Sequence, residues 1–440
     1  MHADLSTPTI AQRLDRVAFT RLHALAVALC ALGFGFDLLE MMLGSALAAV
    51  FSSPPHTAAP AQLSLLLSSV FIGAAVGAPL AGWLADRRGR RLTLTGLLLL
   101  LCVASFGAAS SAAIGSVTAW RCLGGMALGG FPPLVITYLT DFLPASRRGP
   151  FTMVTIGAAS LGPAAGIFLV RTLTPLQPLG LEAWRWGFIF GGAGAGLAGL
   201  LFMLLPESPR WLAARLRMVD ADHACLRFER SPALLSTVPS LVSAPAQTAM
   251  AAAPRRAWPL AAALSFLSPW STVAFPLLSG AVLAQKGFKV TDTLLFVGLS
   301  TFGPFFGNLL VATVIDRVGR RAAMIACSLG MLAAGALFVA SGSAPLLVAS
   351  SFVFTLLVSM QLSFLNLYIS ELFPTATRGR AVAGAWAVNR VGAALGPLLL
   401  LPLLHGKGAS TMFGVIATTL LAGVLLLLSA PAGAARRPVA

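Results

Sequence analysis

Three groups that carry charge lie deep inside stretches that are otherwise apolar: Asp37 and Glu40, three residues apart, and Arg390. At a spacing of i, i+3 the two carboxylates share one face of a helix. Ionisable residues in such a setting are costly, and they mark a cavity, an ion or proton pathway, or a buried partner. Asp37 and Glu40 are therefore the candidate proton-coupling pair. Arg390 presents a planar fork matched to a carboxylate, and Trp386, one turn earlier, offers a face on which an aromatic ring or the guanidinium stacks. A standing ion pair of Arg390 with Asp37 or Glu40 is the competing reading, and the two arrangements can alternate. Asn389, Gln361 and Asn366 are polar residues in apolar runs, and Phe36 and Trp270 are aromatic wall candidates. Together with Arg390 and Trp386 they form the candidate substrate-binding set. Ordinary packing and polar contacts between helices explain each of them taken singly.

The elements that must position these groups follow from composition. Of 440 residues, 57% are hydrophobic and 10% charged, too little polar surface to cover a water-soluble globule of this length. Apolar runs of about 20 residues recur along the chain, each long enough to cross a hydrocarbon core as a helix. Six fall in 22–206 and six in 258–430, separated by a polar linker, 207–257, and flanked by tails 1–21 and 431–440. The net charge of +16 is not spread over one solvated face, so nucleic acid is not a partner. With the N-terminus inside, 23 of the 30 Lys and Arg lie in inner segments and 5 outside, which makes both termini cytoplasmic in an inner or plasma membrane. The five His show no metal spacing and the five Cys no disulfide framework. Neither a metal nor another cofactor is expected.

The chain repeats itself at an offset of 230 residues. Asp86-Arg87-Arg88-Gly89-Arg90-Arg91 returns as Asp316-Arg317-Val318-Gly319-Arg320-Arg321, and Tyr138-x-x-Asp141-x-x-Pro144 returns as Tyr368-x-x-Glu371-x-x-Pro374. Gly73 and Gly77 return as Gly303 and Gly307. Two homologous six-helix halves follow, related by an axis along the membrane normal. The duplicated charges sit at the inner ends of the spans. Asp86, Arg87, Arg90, Asp141 and Arg147 in the first half, with Asp316, Arg317, Arg320, Glu371 and Arg378 in the second, are the candidate gate. Asp86 and Asp316 are placed to cap a neighbouring helix N-terminus.

Gly82-x-Leu84-x-Asp86-Arg87-x-Gly89-Arg90-Arg91 resembles the loop motif between the second and third spans of the major facilitator superfamily, and Arg121 with Gly125 and Gly129 resembles its fourth-span motif. Pro206-Glu207-Ser208-Pro209-Arg210-Trp211-Leu212, Glu371-Leu372-Phe373-Pro374 and Arg378-Gly379 are similar to the branch of sugar porters, organic-ion transporters and aromatic-acid symporters. The seventh-span segment Ser265–Ser279 lacks the paired Gln usual in sugar porters. Phe36-Asp37-Leu38-Leu39-Glu40 and Asn389-Arg390-Val391-Gly392 are more similar to niacin-type and organic-anion members. The resemblance implies an all-α membrane protein of twelve transmembrane helices in two pseudo-symmetric bundles. It also implies proton-coupled symport of a small aromatic or heterocyclic carboxylic acid by alternating access, in a monomer whose partners are substrate, proton and lipid.

Proton antiport of drugs or organic cations, and a sugar-type porter, remain alternatives. Cation export would use Asp37 and Glu40 as the binding charge and leave Arg390 structural. No phosphate-binding Gly-x-x-x-x-Gly-Lys-[Ser/Thr] loop occurs, so an ATP-driven pump is unsupported, and no residue constellation supports an enzyme.

Overall fold

The computed structural model describes residues 9–54, 56, 58–144, 147–235, 257–314, 317–373 and 375–431, with the side chains of 312 and 375–380 outside the description. Six long apolar helices make the first half: Arg21–Phe51, Pro60–Arg88, Arg90–Ser110, Ile114–Phe142, Arg148–Leu173 and Ala183–Phe202. The second half holds Ala257–Gln285, Val290–Val311, Arg320–Ala340, Ala344–Leu372 and Ala381–Ser429. The last is 49 residues long, about twice what one crossing needs. Its backbone leaves the helix at Gly408, with φ 84° and ψ 173°, so it is an eleventh and a twelfth span joined end to end.

Three spans that read as continuous in the sequence are broken: the seventh is Ala257–Thr272 followed by Ala274–Gln285, and the other two share a common signature. The fifth is Arg148–Ala159 followed by Gly162–Leu173, and the eighth is Val290–Ser300 followed by Gly303–Val314. In both, the second segment opens on Gly-Pro, Gly162-Pro163 and Gly303-Pro304. Proline brings no N–H and its ring collides with the carbonyl four residues back, so the ladder is interrupted there. At the first break Gly162 lies so close to Gly35 of the first span that a side chain would drive into the Gly35 carbonyl.

The repeat is carried into contacts. Gly73 and Gly77 of the second span let it approach the Cys122 and Met126 carbonyls of the fourth; Gly303 and Gly307 do the same against Phe352 and Leu356 of the tenth. Those partners are again 230 residues apart. Tyr138 donates to the Pro206 carbonyl at 2.6 Å and Tyr368 to the Pro431 carbonyl at 2.9 Å. Arg91 donates to the Leu205 carbonyl and Arg321 to the Ala430 carbonyl, each at 2.9 Å. On the opposite face the third span ends under Arg185, whose Nη1 donates to the Ala109 and Ser111 carbonyls at 2.6 and 2.7 Å. The ninth span ends under Lys286, bonded to the Phe338, Val339 and Ser341 carbonyls. Cations there satisfy the carbonyls a helix leaves open and face the negative end of its dipole.

The segment expected as a plain tail is folded. Ile10–Arg16 is a helix capped at Thr9 by a box with Gln12. Arg13 pairs with Glu229 at 2.8 Å and with Asp222 on the linker helix Met218–Glu229. Phe19–Thr20 pairs antiparallel with Ala233–Leu235. Linker residues 236–256 lie outside the described residues.

Candidate functional site

The first span places its two acids in different company. Glu40 is buried inside the first half: its Oε2 accepts from Ser105 Oγ of the third span at 3.0 Å, and its Oε1 lies 3.8 Å from Arg121 Nη1 of the fourth. Both side chains are sealed, 4% and 1% exposed. Phe188 of the sixth span closes the other side, its ring 5.7 Å from the Arg121 guanidinium. The Arg121 Nε and Nη1 groups have no hydrogen-bond partner among the described residues. Asp37 is equally buried, at 3% exposure, yet its Oδ1 has no partner either. It lies within electrostatic reach of Arg390 without forming a direct ion pair.

Arg390 belongs to the eleventh span. Its guanidinium stands 4.6 Å above the Trp386 ring, and its Nε is buried and unpartnered. Asn389, one residue before, is committed elsewhere: its Nδ2 donates to the Ser265 carbonyl of the seventh span at 3.1 Å, where Gly392 lets the backbones close up. Trp386, Asn389, Asn366 and Ser265 line one cleft, with Asn366 exposed. The Trp386 Nε1, Trp270 Nε1 and Gln361 Oε1 atoms are buried and without hydrogen-bond partners among the described residues. Phe36 stands apart. Its ring packs edge-on against Phe190 at 5.7 Å and lies over Gly194 of the sixth span, because one residue along a helix turns a side chain about 100° from its neighbour. It is not among the residues that line the cleft beside Trp386.

On the charged face the gate residues divide. Arg90 reaches Asp86 at 3.1 Å and Asp141 at 3.5 Å; its repeat partner Arg320 reaches Glu371 at 3.2 Å. Asp86 does not cap the third span. Its side chain is 71% exposed, and the cap is Glu207, whose Oε1 accepts the Arg90 and Arg91 N–H groups at 2.9 and 3.0 Å. Gly89 makes this fit: at φ 107° it turns the chain, and a side chain on it would strike the Glu207 carboxylate. Arg87 lies over the Trp83 ring at 4.5 Å rather than on an acid. Arg147 and Arg317 make no ion pair among the described residues. The adjacent Arg148 does, with Asp15 at 2.6 Å, and Arg210 joins it at 2.9 Å. Asp141 also accepts from Ser208 at 2.6 Å. Asp316 lies outside the described residues, as does the side chain of Arg378. The sequence reading missed Ser105, Asp15, Arg148 and the capping role of Glu207, since none of them has a signature apart from its distant partner.

The first and seventh spans, and the fifth and eighth, meet across the two halves. Gly280 of the seventh span packs on the Ser45 carbonyl of the first, and Leu277 fills the space left by Gly44. Arg171 Nε donates to the Thr291 carbonyl at 3.2 Å. Asn308 Nδ2 donates to Ser160 Oγ at 3.4 Å. No hydrogen bond or ion pair joins the halves at Asp86 or Asp141 among the described residues.

Residues 23–427 match the family described as sugar (and other) transporter. The niacin transporter NiaP of Acinetobacter baylyi is 25% identical over 409 residues, 89% of each chain. Organic cation/carnitine transporter 7 of Arabidopsis thaliana is 27% identical over 459 residues, 90% of this chain and 89% of its own. Among solved structures, the partially occluded inward-open xylose transporter XylE of E. coli superposes with a TM-score of 0.71 at 18% identity, covering 93% of this chain and 96% of its own. With twelve spans in two repeated halves, and a match running nearly end to end, the chain is an integral membrane transporter belonging to the sugar (and other) transporter family of the major facilitator superfamily.

Proposed function

We propose that the chain is a proton-coupled symporter of a small aromatic or heterocyclic carboxylic acid, working by alternating access, with the charged face cytoplasmic and the cavity open to that side. The observation that carries this reading is Arg390: a buried guanidinium stacked on Trp386, with its Nε unpartnered and no direct ion pair. A carboxylate docks on its fork while the attached ring lies along Trp386. Asn366 and Asn389 supply polar edges to the cleft that Trp386 lines. The relative named as a niacin transporter fits this substrate class.

Coupling follows from charge. Asp37, Glu40, Arg121 and Arg390 are the four charged groups of the membrane interior, two of each sign, and together they are neutral. A monocarboxylate brings one negative charge into a space where uncompensated charge is costly. One proton on Asp37 or Glu40 restores neutrality, and the loaded carrier can then close. Transport is accordingly one proton per monoanion, electroneutral, driven inward by an acidic exterior. It falls as external pH rises through the joint titration of the acid pair. The inner-end pairs Arg90–Asp141 and Arg320–Glu371 serve as gate elements.

One observation favours a second reading. Asp37 Oδ1 is buried and unpartnered, as a cation site requires, and the relative named as an organic cation transporter accords with it. Counterflow into proteoliposomes separates the two. With radiolabelled nicotinate, xylose and tetraethylammonium, only nicotinate is expected to exchange, and an inward proton gradient accumulates it. Exchange of tetraethylammonium, with proton movement opposite to the cation, would replace the symport reading by antiport.

A further inference from the structure

Between the linker helices Pro209–Ala214 and Met218–Glu229 the chain turns at Leu216, whose backbone takes φ 60°. That conformation crowds the Cβ of any residue but glycine, and leucine has no polar side chain to offset the crowding with a local hydrogen bond. The turn leaves Leu216 86% exposed, with Met218 and Val219 after it at 53% and 72%. Three large apolar side chains within four positions thus project from a segment outside the spans. The opposite face of the helix, Ala221, Ala224, Cys225 and Phe228, is buried against the first half.

Three hydrogen bonds fix the level at which this turn lies. Trp211 Nε1 donates to the Asp86 carbonyl at 3.1 Å, and the Arg215 guanidinium donates to the same atom. Arg227 Nη2 donates to the Leu204 carbonyl at 2.8 Å. Asp86 is in the last turn of the second span, and Leu204 is two residues beyond the sixth. Each carbonyl ends a stripe of exposed apolar side chains, Leu80 and Trp83 on one span and Leu197 and Leu200 on the other. Trp83 with the Arg87 guanidinium over its ring is an aromatic anchor topped by a cation, the pairing suited to the boundary between hydrocarbon and headgroups. The linker helix is strapped across the span ends at that level. Acids around it are already paired: Asp86 with Arg90, Asp220 with Arg217 at 2.8 Å, and Asp222 and Glu229 with Arg13. Arg87, Arg88, Arg215 and Arg227 have no ion pair among the described residues, and bonds to neutral carbonyls leave the charge of Arg215 and Arg227 uncompensated.

We infer that the turn Arg215–Val219 docks on the membrane itself, with its apolar side chains in the headgroup boundary and the four arginines holding anionic phospholipid. Burial of the leucine, methionine and valine supplies affinity, and the cations select the lipid. Neither the transported substrate nor the direction of transport enters this contact.

The test uses the full chain in a cysteine-free background, with Leu216→Cys carrying a nitrobenzoxadiazole label, in liposomes of phosphatidylcholine and phosphatidylglycerol. Phosphatidylglycerol spin-labelled near its headgroup is expected to quench the label at least about two-fold more than phosphatidylcholine labelled at the same position and mole fraction. The preference should fade at high salt, which screens exposed charge, and in the Arg88→Gln, Arg227→Gln double variant. Equal quenching by the two lipids overturns the inference. So does quenching by neither, with the label open to aqueous iodide, which would place the turn in water. If Leu216→Cys does not fold, the label at Val219→Cys is read in the same way. No substrate is involved in the readout, so failure of the symport reading would leave this result unchanged.

Discussion

Neutralising Glu40 separates what its ion pair does for stability from what it does for coupling. Glu40 Oε1 and Arg121 Nη1 are 3.8 Å apart with both side chains sealed. At that distance two unit charges attract by about 4 kcal/mol with an effective dielectric constant of about 20. Removing one partner of a buried pair costs about 3–5 kcal/mol, because the other charge is left uncompensated. Arg121 is badly placed to absorb the loss, since its Nε and Nη1 have no hydrogen-bond partner among the described residues. At about 2–4 °C per kcal/mol for a unit of about 200 residues, Glu40→Gln should lower the thermal midpoint by about 6 °C or more. The double variant Glu40→Gln with Arg121→Gln has no stranded charge and should recover most of that loss. Coupling should not recover: both variants are expected to exchange substrate across the membrane yet fail to accumulate it against a pH gradient. Thermal unfolding in detergent and paired exchange and accumulation assays read the two effects. A double variant as unstable as the single one would refute the ion-pair argument. Accumulation by Glu40→Gln at the parental level would refute its role in coupling.

Arg390→Ala removes a charge-assisted contact worth about 1.5–3 kcal/mol and should weaken carboxylate binding about 10- to 150-fold, measured by scintillation proximity, while sparing an uncharged amide analogue. Gly89→Ala forces a side chain into backbone that only glycine adopts comfortably, at a cost of about 1–3 kcal/mol. It also displaces Glu207, so the thermal midpoint should fall, and adding Glu207→Ala should cost less than the two single losses together. Hydrogen bonds from Arg13 hold the Glu229 carboxyl below its ordinary range. The docked tail therefore gains stability that is fully present above about pH 4.5 and is lost as pH falls through the lowered value. Limited proteolysis at Arg16 should accelerate only in that acidic range, and in Glu229→Gln at neutral pH as well.

The fold was legible because its main determinants are periodic or duplicated. Span length, the excess of Arg on one side and the offset of 230 each leave marks that survive without coordinates, and the duplicated glycines meet the same carbonyl positions in both halves. Pairings between distant elements were not legible. Nothing in Glu40 alone says that it turns to Arg121, 81 positions later, while Asp37 looks toward Arg390. The acid that caps the third span was not legible either, because the nearby Asp86 is the natural choice in one dimension. The chain turns at Gly89 and brings Glu207 from the linker instead. Phe36 failed for a local reason, since a neighbour of Asp37 in sequence is not its neighbour on the helix surface.

The cations that close the third and ninth spans bear on how the two halves diverged. Ala109 and Ser111 correspond to Val339 and Ser341 at the common offset, but Arg185 comes from the start of the sixth span and Lys286 from the end of the seventh. The carbonyls are equivalent in the two halves, and each half covers them with a base from a different span. A chimera built from two copies of the first half would carry an arginine cap at both ends by descent. A chimera built from two copies of the second would carry a lysine cap at both, since Lys286 and the carbonyls it covers lie within that half. Grafts between the halves should therefore be cut beyond these loops, so that each donated helix travels with the base that its own lineage selected.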